Sequence, residues 1–245
     1  RALMGDASPT SEGRFPLLVK LLDAAEPLSI QVHPDASYVA THPEVRLKTE
    51  SWYLIDADDD TDIYLDVRPG VTIDDLEAAF GTRAMVDLLA TKPAIAGAFH
   101  HVPAGLILAL GAGCLVAEVQ TPSDTTYRMY DWSSEFGRDP RPLHREESLR
   151  SARLHPSDAF SLESSTVSRS LIAADHYSMV EHRVGGSVIV SDDGGPVVAM
   201  VTEGKGQLGS LDLDRGSTVV IPASATDREV VVERDAVILE ITLPV

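Results

Sequence analysis

Short runs of β-branched and other apolar residues, separated by turn residues, recur along the whole chain. Runs of three to six such residues bounded by Gly, Pro, Asp and Ser are typical of strands, and helical periodicity between them is rare. The clearest runs are Ser51–Ile55, Ile63–Val67, Leu115–Val119, Ser187–Val190, Val197–Thr202, Thr218–Ile221, Val230–Val232 and Val237–Ile241. The pattern predicts an all-β dominated fold with a few short helices.

The clearest helix signal begins at Thr72, a favoured N-cap residue, and ends before Gly81. Two aspartates occupy the first turn, where negative charge suits the start of a helix. We expect a second short helix from Arg83 to Leu89.

The two halves of the chain carry a similar pattern of turn and strand residues. Residues 97–104 run from a glycine through an apolar strand to Pro-Ala, and residues 216–223 do the same with identical spacing. Glycine permits the turn into the strand, and proline ends ladder pairing just beyond it. The pattern resembles the second motif of a cupin jelly-roll, so its repetition predicts a double cupin of two jelly-roll β-barrels.

A polar and basic stretch with three prolines, residues 131–158, separates the two strand-rich halves. We therefore expect an N-terminal cupin barrel over residues 1–135 that carries the functional site. A linker over residues 136–160 and a C-terminal cupin-like barrel over residues 161–245 would follow it.

The charge of the chain limits the possible partners. Its 245 residues include 38 acidic and 20 basic side chains, which gives a formal net charge of −18 at pH 7. Nucleic-acid binders concentrate Lys and Arg, so this balance argues against that class. No apolar run approaches the roughly 20 residues that span a bilayer, and residues 1–6 lack the layout of a signal peptide. We expect a soluble, cytoplasmic chain without a membrane partner.

Residues 28–35, Leu-Ser-Ile-Gln-Val-His-Pro-Asp, are the most informative stretch. Strand alternation places Ser29, Gln31 and His33 on one face and apolar side chains on the other. A row of polar side chains on an apolar strand requires either water or a shared ligand. Because Cys114 is the only cysteine, a thiolate cage is excluded, and a shared metal would be held by His, Glu, Asp or Gln.

Lys48 and Glu50 share a face of a second strand, in the stretch Lys-Thr-Glu-Ser-Trp-Tyr. Imidazole and carboxylate groups from neighbouring strands of a small barrel can hold Zn²⁺ or a similar divalent ion. In the alternative interpretation, His33 caps the turn before Pro34 and Glu50 pairs with Lys48 on a surface strand. The residue types alone leave both interpretations open.

Four stretches, in the same order, resemble the type I mannose-6-phosphate isomerases, specifically the short bacterial form. They are residues 19–24, 28–35, 48–53 and 118–132. The resemblance covers nearly the whole chain, and the C-terminal half is similar to the second cupin of that family. Residues 1–5 resemble a point well inside the first domain of the family, so we expect that the N-terminal segment of the family is not represented.

The resemblance implies an isomerase that interconverts mannose 6-phosphate and fructose 6-phosphate through a cis-enediol, with a small phosphorylated sugar as its partner. This chemistry needs a metal or a cation to stabilise the enediolate and a base to move the proton. The zinc ligands of the family fall on Gln31, His33 and Glu50. The residues implied at the phosphate are Lys20 and Ser29, and those implied at the reacting carbons are Arg128, Lys48 and Asp124.

One position departs from the family pattern. The last zinc ligand of the family is the His of a Pro-Ala-Gly-Thr-Val-His stretch, whereas residues 103–108 read Pro-Ala-Gly-Leu-Ile-Leu and place Leu108 there. Leucine has no lone pair, so we expect zinc affinity to fall.

Three explanations for Leu108 stay open. His100 or His101 could supply the missing imidazole, although strand alternation lets only one of them face the barrel. Both could instead be ordinary edge-strand residues. The site could also have changed function and hold a different metal or none, which would make the chain a divergent or inactive homologue. A chain that has lost the metal site would be a non-catalytic cupin that binds sugar phosphates.

Overall fold

The computed structural model of the protein describes residues 1–245. Strands contain 40% of the residues and helices 12%, in three antiparallel sheets, which confirms the predicted β-dominated fold with few helices. The chain divides into two compact units. The site unit is Leu17–Glu163, and the second unit combines Arg1–Pro16 with Ser164–Val245. In this division, residues 136–160 belong to the site unit.

The site unit contains two five-stranded sheets and five short helices. Its strands are β1 (Leu18–Ala24), β2 (Ile30–Val32), β3 (Glu50–Ala57), β4 (Asp62–Val67), β5 (Leu89–Pro93), β6 (Phe99–Val102), β7 (Ile107–Leu110), β8 (Cys114–Gln120), β9 (Tyr127–Tyr130) and β10 (Phe160–Leu162). Its helices are α1 (Ala36–Thr41), α2 (Ile73–Ala79), α3 (Ala84–Leu88), α4 (Ser133–Phe136) and α5 (Arg145–Ser151). The strand orders are β1-β8-β3-β6-β10 and β5-β4-β7-β2-β9.

The two sheets of the site unit pack face to face over an apolar core. Trp52 and Leu54 of the first sheet lie in one buried cluster with Ile63, Leu108 and Leu110 of the second sheet. Burial of side chains this large contributes roughly 2 kcal/mol each to folding. The apolar cluster therefore holds the sheets together and defines the space into which their inner residues point.

Helix α2 covers the outer face of the second sheet. Leu76 of the helix is buried in a second cluster with Ile30 and Val32 of β2. The helix begins where the sequence predicts, because the Thr72 side chain accepts from the backbone of Asp75 while the Asp75 side chain accepts from the backbone of Thr72. Since Ile30 and Val32 face this cluster, Gln31 between them faces the other sheet.

The other helices are short. Helix α3 confirms the second predicted helix, whereas α5 lies within the polar stretch that is predicted as a linker. Ser148 and Ser151 of α5 are fully buried, and the His144 amide donates to the Arg128 carbonyl at 2.9 Å, so this stretch packs against β9. No helix of the structure combines the length and the apolar character needed to cross a membrane.

The second unit consists of one seven-stranded antiparallel sheet. Its strands are β11 (Arg169–Ala173), β12 (Ser178–Ile189), β13 (Val197–Glu203), β14 (Gly206–Leu208), β15 (Leu211–Leu213), β16 (Thr218–Ile221) and β17 (Glu229–Thr242). The order is β11-β12-β17-β13-β16, and β14 pairs with both β15 and β17.

The long strands of the second unit bend around a single core. Pairing between β12 and β17 shifts register between Val184 and Gly186, as expected for a β-bulge. Val230 and Ile238, on opposite sides of this irregularity in β17, lie in the same apolar cluster. The two halves of β17 therefore pack against one apolar core.

The repeated glycine–proline pattern marks equivalent strands in the two units. Strand β6 follows Gly97, whose φ is 81°, and β16 follows Gly216, whose φ is 91°. Only glycine adopts such angles without strain. Both strands end directly before the proline, as the sequence predicts.

Candidate functional site

A buried histidine and a buried glutamate meet in the site unit. His33 directly follows β2 and Glu50 opens β3, and each is 1% exposed. His33 Nε2 lies 3.3 Å from Glu50 Oε2, and Lys48 Nζ lies 3.0 Å from the same oxygen. Neither Nε2 nor Oε2 has a hydrogen-bond partner of normal geometry. Because all three residues are buried, Glu50 and Lys48 do not form a surface pair.

A contact of the other ring nitrogen of His33 selects the tautomer of the neutral imidazole. Nδ1 lies 3.1 Å from the carbonyl oxygen of Thr125. Because a carbonyl only accepts hydrogen bonds, Nδ1 carries the proton, and in the neutral ring Nε2 presents its lone pair. Histidines that bind metals are commonly held in this way through their second nitrogen.

Burial and neighbouring charges shift the pKa of Glu50 in opposite directions. Burial alone would raise the pKa of this carboxyl, but attraction to a protonated His33 and to the Lys48 ammonium, with hydrogen bonds from both, lowers the pKa to about 2. The carboxylate is therefore ionised at neutral pH, and the oxygen that lies near His33 and Lys48 can also bind a cation.

The positions of these atoms fit a divalent cation. Two tetrahedral ligands bound at about 2.0 Å lie about 3.3 Å apart, which matches the separation of His33 Nε2 and Glu50 Oε2. Gln31, two residues before His33, is the next candidate, and its amide oxygen accepts from Ser29 Oγ at 2.9 Å. No group of three or more His, Cys, Asp or Glu side chains is arranged to hold a metal. The third protein ligand would therefore be an amide.

Leu108 occupies the position opposite Gln31. The two residues pair directly between β7 and β2, so their side chains point to the same side of the sheet. Leu108 is fully buried in the apolar cluster with Trp52 and Leu110. This wall of the site therefore offers no lone pair to a metal.

A second cluster of polar side chains lies next to Glu50. Lys20 Nζ lies 2.6 Å from Glu118 Oε1 and 2.6 Å from Gln120 Oε1. Glu118 and Gln120 lie on β8, adjacent to β3, where Gln120 is in register with Glu50. Burial raises the pKa of Glu118, and the negative charge of Glu50 raises it further. Lys20 is thus drawn into the site by a buried acid and a buried amide.

The sequence patterns assign no role to Glu118 or Gln120. Their alternation on β8 could have placed both on the inner face, since residues two apart point the same way. Their partners Lys20 and Glu50 lie about 70 to 100 residues away in the chain. Such long-range pairing is invisible to local periodicity.

His100 and His101 point to opposite faces of β6. On the outer face, His101 Nδ1 lies 3.1 Å from Ser51 Oγ. On the inner face, His100 is in register with Trp52. His100 Nδ1 lies 2.8 Å from Ser161 Oγ on β10, on the far side of Trp52 from Glu118. Neither histidine contacts His33 or Glu50, so neither completes a metal site in this arrangement.

The remaining predicted residues differ in position. Arg128 on β9 is in register with Gln31, and its Nε is buried without a hydrogen-bond partner. The side chain of Asp124 is exposed and makes no contact with the polar groups described above. The structure therefore brings together all the predicted residues except Asp124.

The arginines within residues 138–153 all form ion pairs with carboxylates. Arg138 and Arg141 pair with Asp131, which also holds the turn after β9. Three further ion pairs in this stretch are Arg145 with Glu77, Arg150 with Glu146 and Arg153 with Asp158. The cations near the buried carboxylates are Lys20 and Lys48.

Comparison with known proteins shows extensive similarity to one group of enzymes. Residues 2–64 match the catalytic domain of type I phosphomannose isomerase. The chain is 33% identical over 221 residues to the mannose-6-phosphate isomerase of Streptococcus mutans, which covers 85% of this chain and 68% of that protein.

Solved structures give the same result for the fold. The mannose 6-phosphate isomerase of Bacillus subtilis superposes with a TM-score of 0.77 at 29% identity and covers 94% of this chain and 76% of that one. A mannose 6-phosphate isomerase bound with zinc and yttrium has a TM-score of 0.70 at 14% identity and covers 100% of this chain and 83% of that one. These matches confirm the predicted cupin fold.

The buried His100 predicts a dependence of stability on pH. Burial, and then the charge of Lys92, lower the pKa of His100 to about 4, whereas an unfolded histidine titrates near 6.5. The unfolded state therefore takes up a proton first, and stability falls as the pH drops from 6.5 towards 4. We expect this group to remove about 2 kcal/mol from the free energy of unfolding between pH 7 and pH 5.

Urea unfolding of His100→Asn at both pH values tests this expectation, since asparagine can still bond Ser161. The variant should lose about 2 kcal/mol less stability than the wild type on acidification. His176→Asn, at an exposed position in the second unit, should behave as the wild type does. An identical pH dependence in His100→Asn and the wild type would refute the assignment.

Proposed function

Because the chain belongs to the type I phosphomannose isomerase family, we propose that it interconverts mannose 6-phosphate and fructose 6-phosphate. The observation that carries the proposal is the buried pair His33 and Glu50, whose facing atoms lie 3.3 Å apart without a hydrogen bond between them, while Lys48 pairs with the same carboxylate oxygen. Leaving such atoms unpaired costs a protein stability, so they are best explained by a ligand.

Gln31, His33 and Glu50 would hold the divalent cation, with zinc as the expected ion. Catalytic zinc sites commonly use three protein ligands and leave further positions open. The cation would supply stabilisation of the negative charge that develops on the sugar oxygens during the reaction. Ser29 donates to the Gln31 amide oxygen and thereby orients it, so we propose that Ser29 acts on the ligand as well as near the phosphate.

Lys20 is the proposed partner of the substrate phosphate. Glu118 and Gln120 use two of its three ammonium hydrogens, which leaves one for an incoming anion. The raised pKa of Glu118 favours protonation of this carboxyl when a phosphate approaches, which removes a repulsion between the two anions. Lys20 can therefore exchange a buried partner for the substrate.

Arg128 and Lys48 are the proposed residues at the reacting carbons. Transfer of a proton between adjacent carbons passes through a cis-enediol, whose oxygens become negative. The unpartnered Arg128 Nε and the buried Lys48 ammonium can donate hydrogen bonds to these oxygens. The family resemblance places Asp124 near the reacting carbons, and the structure adds no contact that supports a catalytic role.

Leu108 favours a second candidate function. Its side chain packs in an apolar cluster opposite Gln31, where a fourth ligand would otherwise strengthen the site. A cupin with so few ligands could bind a sugar phosphate through Lys20 and Arg128 without turnover. Metal analysis combined with an isomerase assay separates the two functions.

Turnover should depend on the anionic side chain of Glu50. The wild type with added Zn²⁺ should isomerise mannose 6-phosphate, and Glu50→Gln should lower kcat/KM at least about 100-fold because the anionic ligand is lost. Glu229→Gln, the same change at an exposed residue of the second unit, should leave kcat/KM unchanged. Binding of mannose 6-phosphate without turnover at saturating Zn²⁺ would support the second candidate instead.

Adding an imidazole at Leu108 should strengthen the binding of the cation. Leu108→His places an imidazole opposite Gln31, so zinc affinity measured against a competing chelator should rise more than about tenfold. Leu110→His adds the same group two residues further along β7 and should give a smaller increase. Equal affinities for the wild type and Leu108→His would contradict the proposed placement of the cation.

A further inference from the structure

Gln120 is a fully buried residue at the end of β8 that uses both ends of its amide. Its oxygen accepts from Lys20 Nζ at 2.6 Å. Its nitrogen donates to the carbonyl of Thr121 at 2.9 Å and to the carbonyl of Ser123 at 2.6 Å. Both donors are therefore directed at the turn that immediately follows the strand.

This turn carries the carbonyl that orients His33. The Ser123 amide donates to the Thr121 carbonyl at 2.7 Å, and the Thr125 amide lies 3.3 Å from Ser123 Oγ. Ser123 Oγ in turn donates to the Arg46 carbonyl at 3.2 Å. The path ends at the Thr125 carbonyl, which accepts from His33 Nδ1.

From these contacts we propose that Gln120 is a positioning residue that fixes the tautomer of His33 while it holds Lys20 in the site. The inference rests on the proposed function, because His33 is proposed to bind the cation and Lys20 the phosphate. With the turn in place, the proton stays on Nδ1 and the lone pair of Nε2 faces Glu50. One buried amide thus aligns the metal side and the anion side of the site.

The chemistry of the amide explains why glutamine suits this position. Two carbonyl oxygens and one ammonium group surround it, which together demand two donors and one acceptor. A glutamate of the same size would satisfy Lys20 but would direct a carboxylate oxygen at two carbonyls. An apolar side chain would remove the donor that the Ser123 carbonyl receives from Gln120 and would leave part of the ammonium unsatisfied.

The test measures the tautomer of His33 in the metal-free protein by ¹⁵N NMR of histidine-labelled samples. Wild type should show Nδ1–H as the dominant form. Gln120→Glu should shift the ratio of the two tautomers at least about fivefold towards Nε2–H, as expected when a hydrogen bond of ordinary strength is lost. Zinc affinity, measured separately with the metal alone, should fall about 10- to 100-fold.

Two further variants complete the design. Ser123→Ala removes a different link of the same path and should shift the tautomer in the same direction. It serves as the test if Gln120→Glu does not fold. Gln207→Glu, the same change at an exposed residue of β14, should leave the His33 tautomer unchanged. A wild-type tautomer ratio in folded Gln120→Glu or in Ser123→Ala would overturn the proposal. The tautomer is read without substrate, so this result is independent of whether the protein isomerises sugars.

Discussion

The ionised carboxylate of Glu50, held inside the site unit between His33 and Lys48, is the interaction on which the site depends. A buried charge is costly unless it is paired, and here an ammonium group and an imidazole both lie within 3.3 Å of one oxygen. Lys48 lies only two residues before Glu50, whereas the packing of the two sheets brings the imidazole of His33 to the carboxylate. The fold therefore brings His33 Nε2 to face the ionised carboxylate of Glu50, and the proposed cation would lie between these two groups.

Both polar and apolar side chains fill the interior between the two sheets of the site unit. Leu108, Trp52 and Leu110 join the sheets through dispersion and burial, while Gln31 and Glu50 require polar partners a few ångströms away. A leucine opposite Gln31 adds to the apolar core and removes a potential ligand. Under the proposed function, Gln31, His33 and Glu50 would hold the cation, and the hydrogen bond from Ser29 would keep the Gln31 amide in place.

Local patterns in the sequence predict the features that depend on neighbouring residues. Thr72 and Asp75 form the capping box, Gly97 and Gly216 turn into equivalent strands, and strand alternation brings Gln31 and His33 to one face. Long-range partners are not encoded locally. The link from Glu118 to Lys20 and the ordered helix in residues 145–151 arise from strand order and packing. Asp124 illustrates a different limit of sequence-based prediction. The motif places this residue close to the site in the chain, but its side chain is exposed.

Zinc K-edge X-ray absorption of the zinc-loaded protein tests the central claim most directly. If Gln31, His33 and Glu50 hold the ion, the spectrum should fit nitrogen and oxygen ligands at about 2.0 Å with a single imidazole. Two imidazoles would mean that His100 or another histidine completes the site, and a spectrum without imidazole would place the ion elsewhere. Either result would contradict a cation whose protein ligands are Gln31, His33 and Glu50.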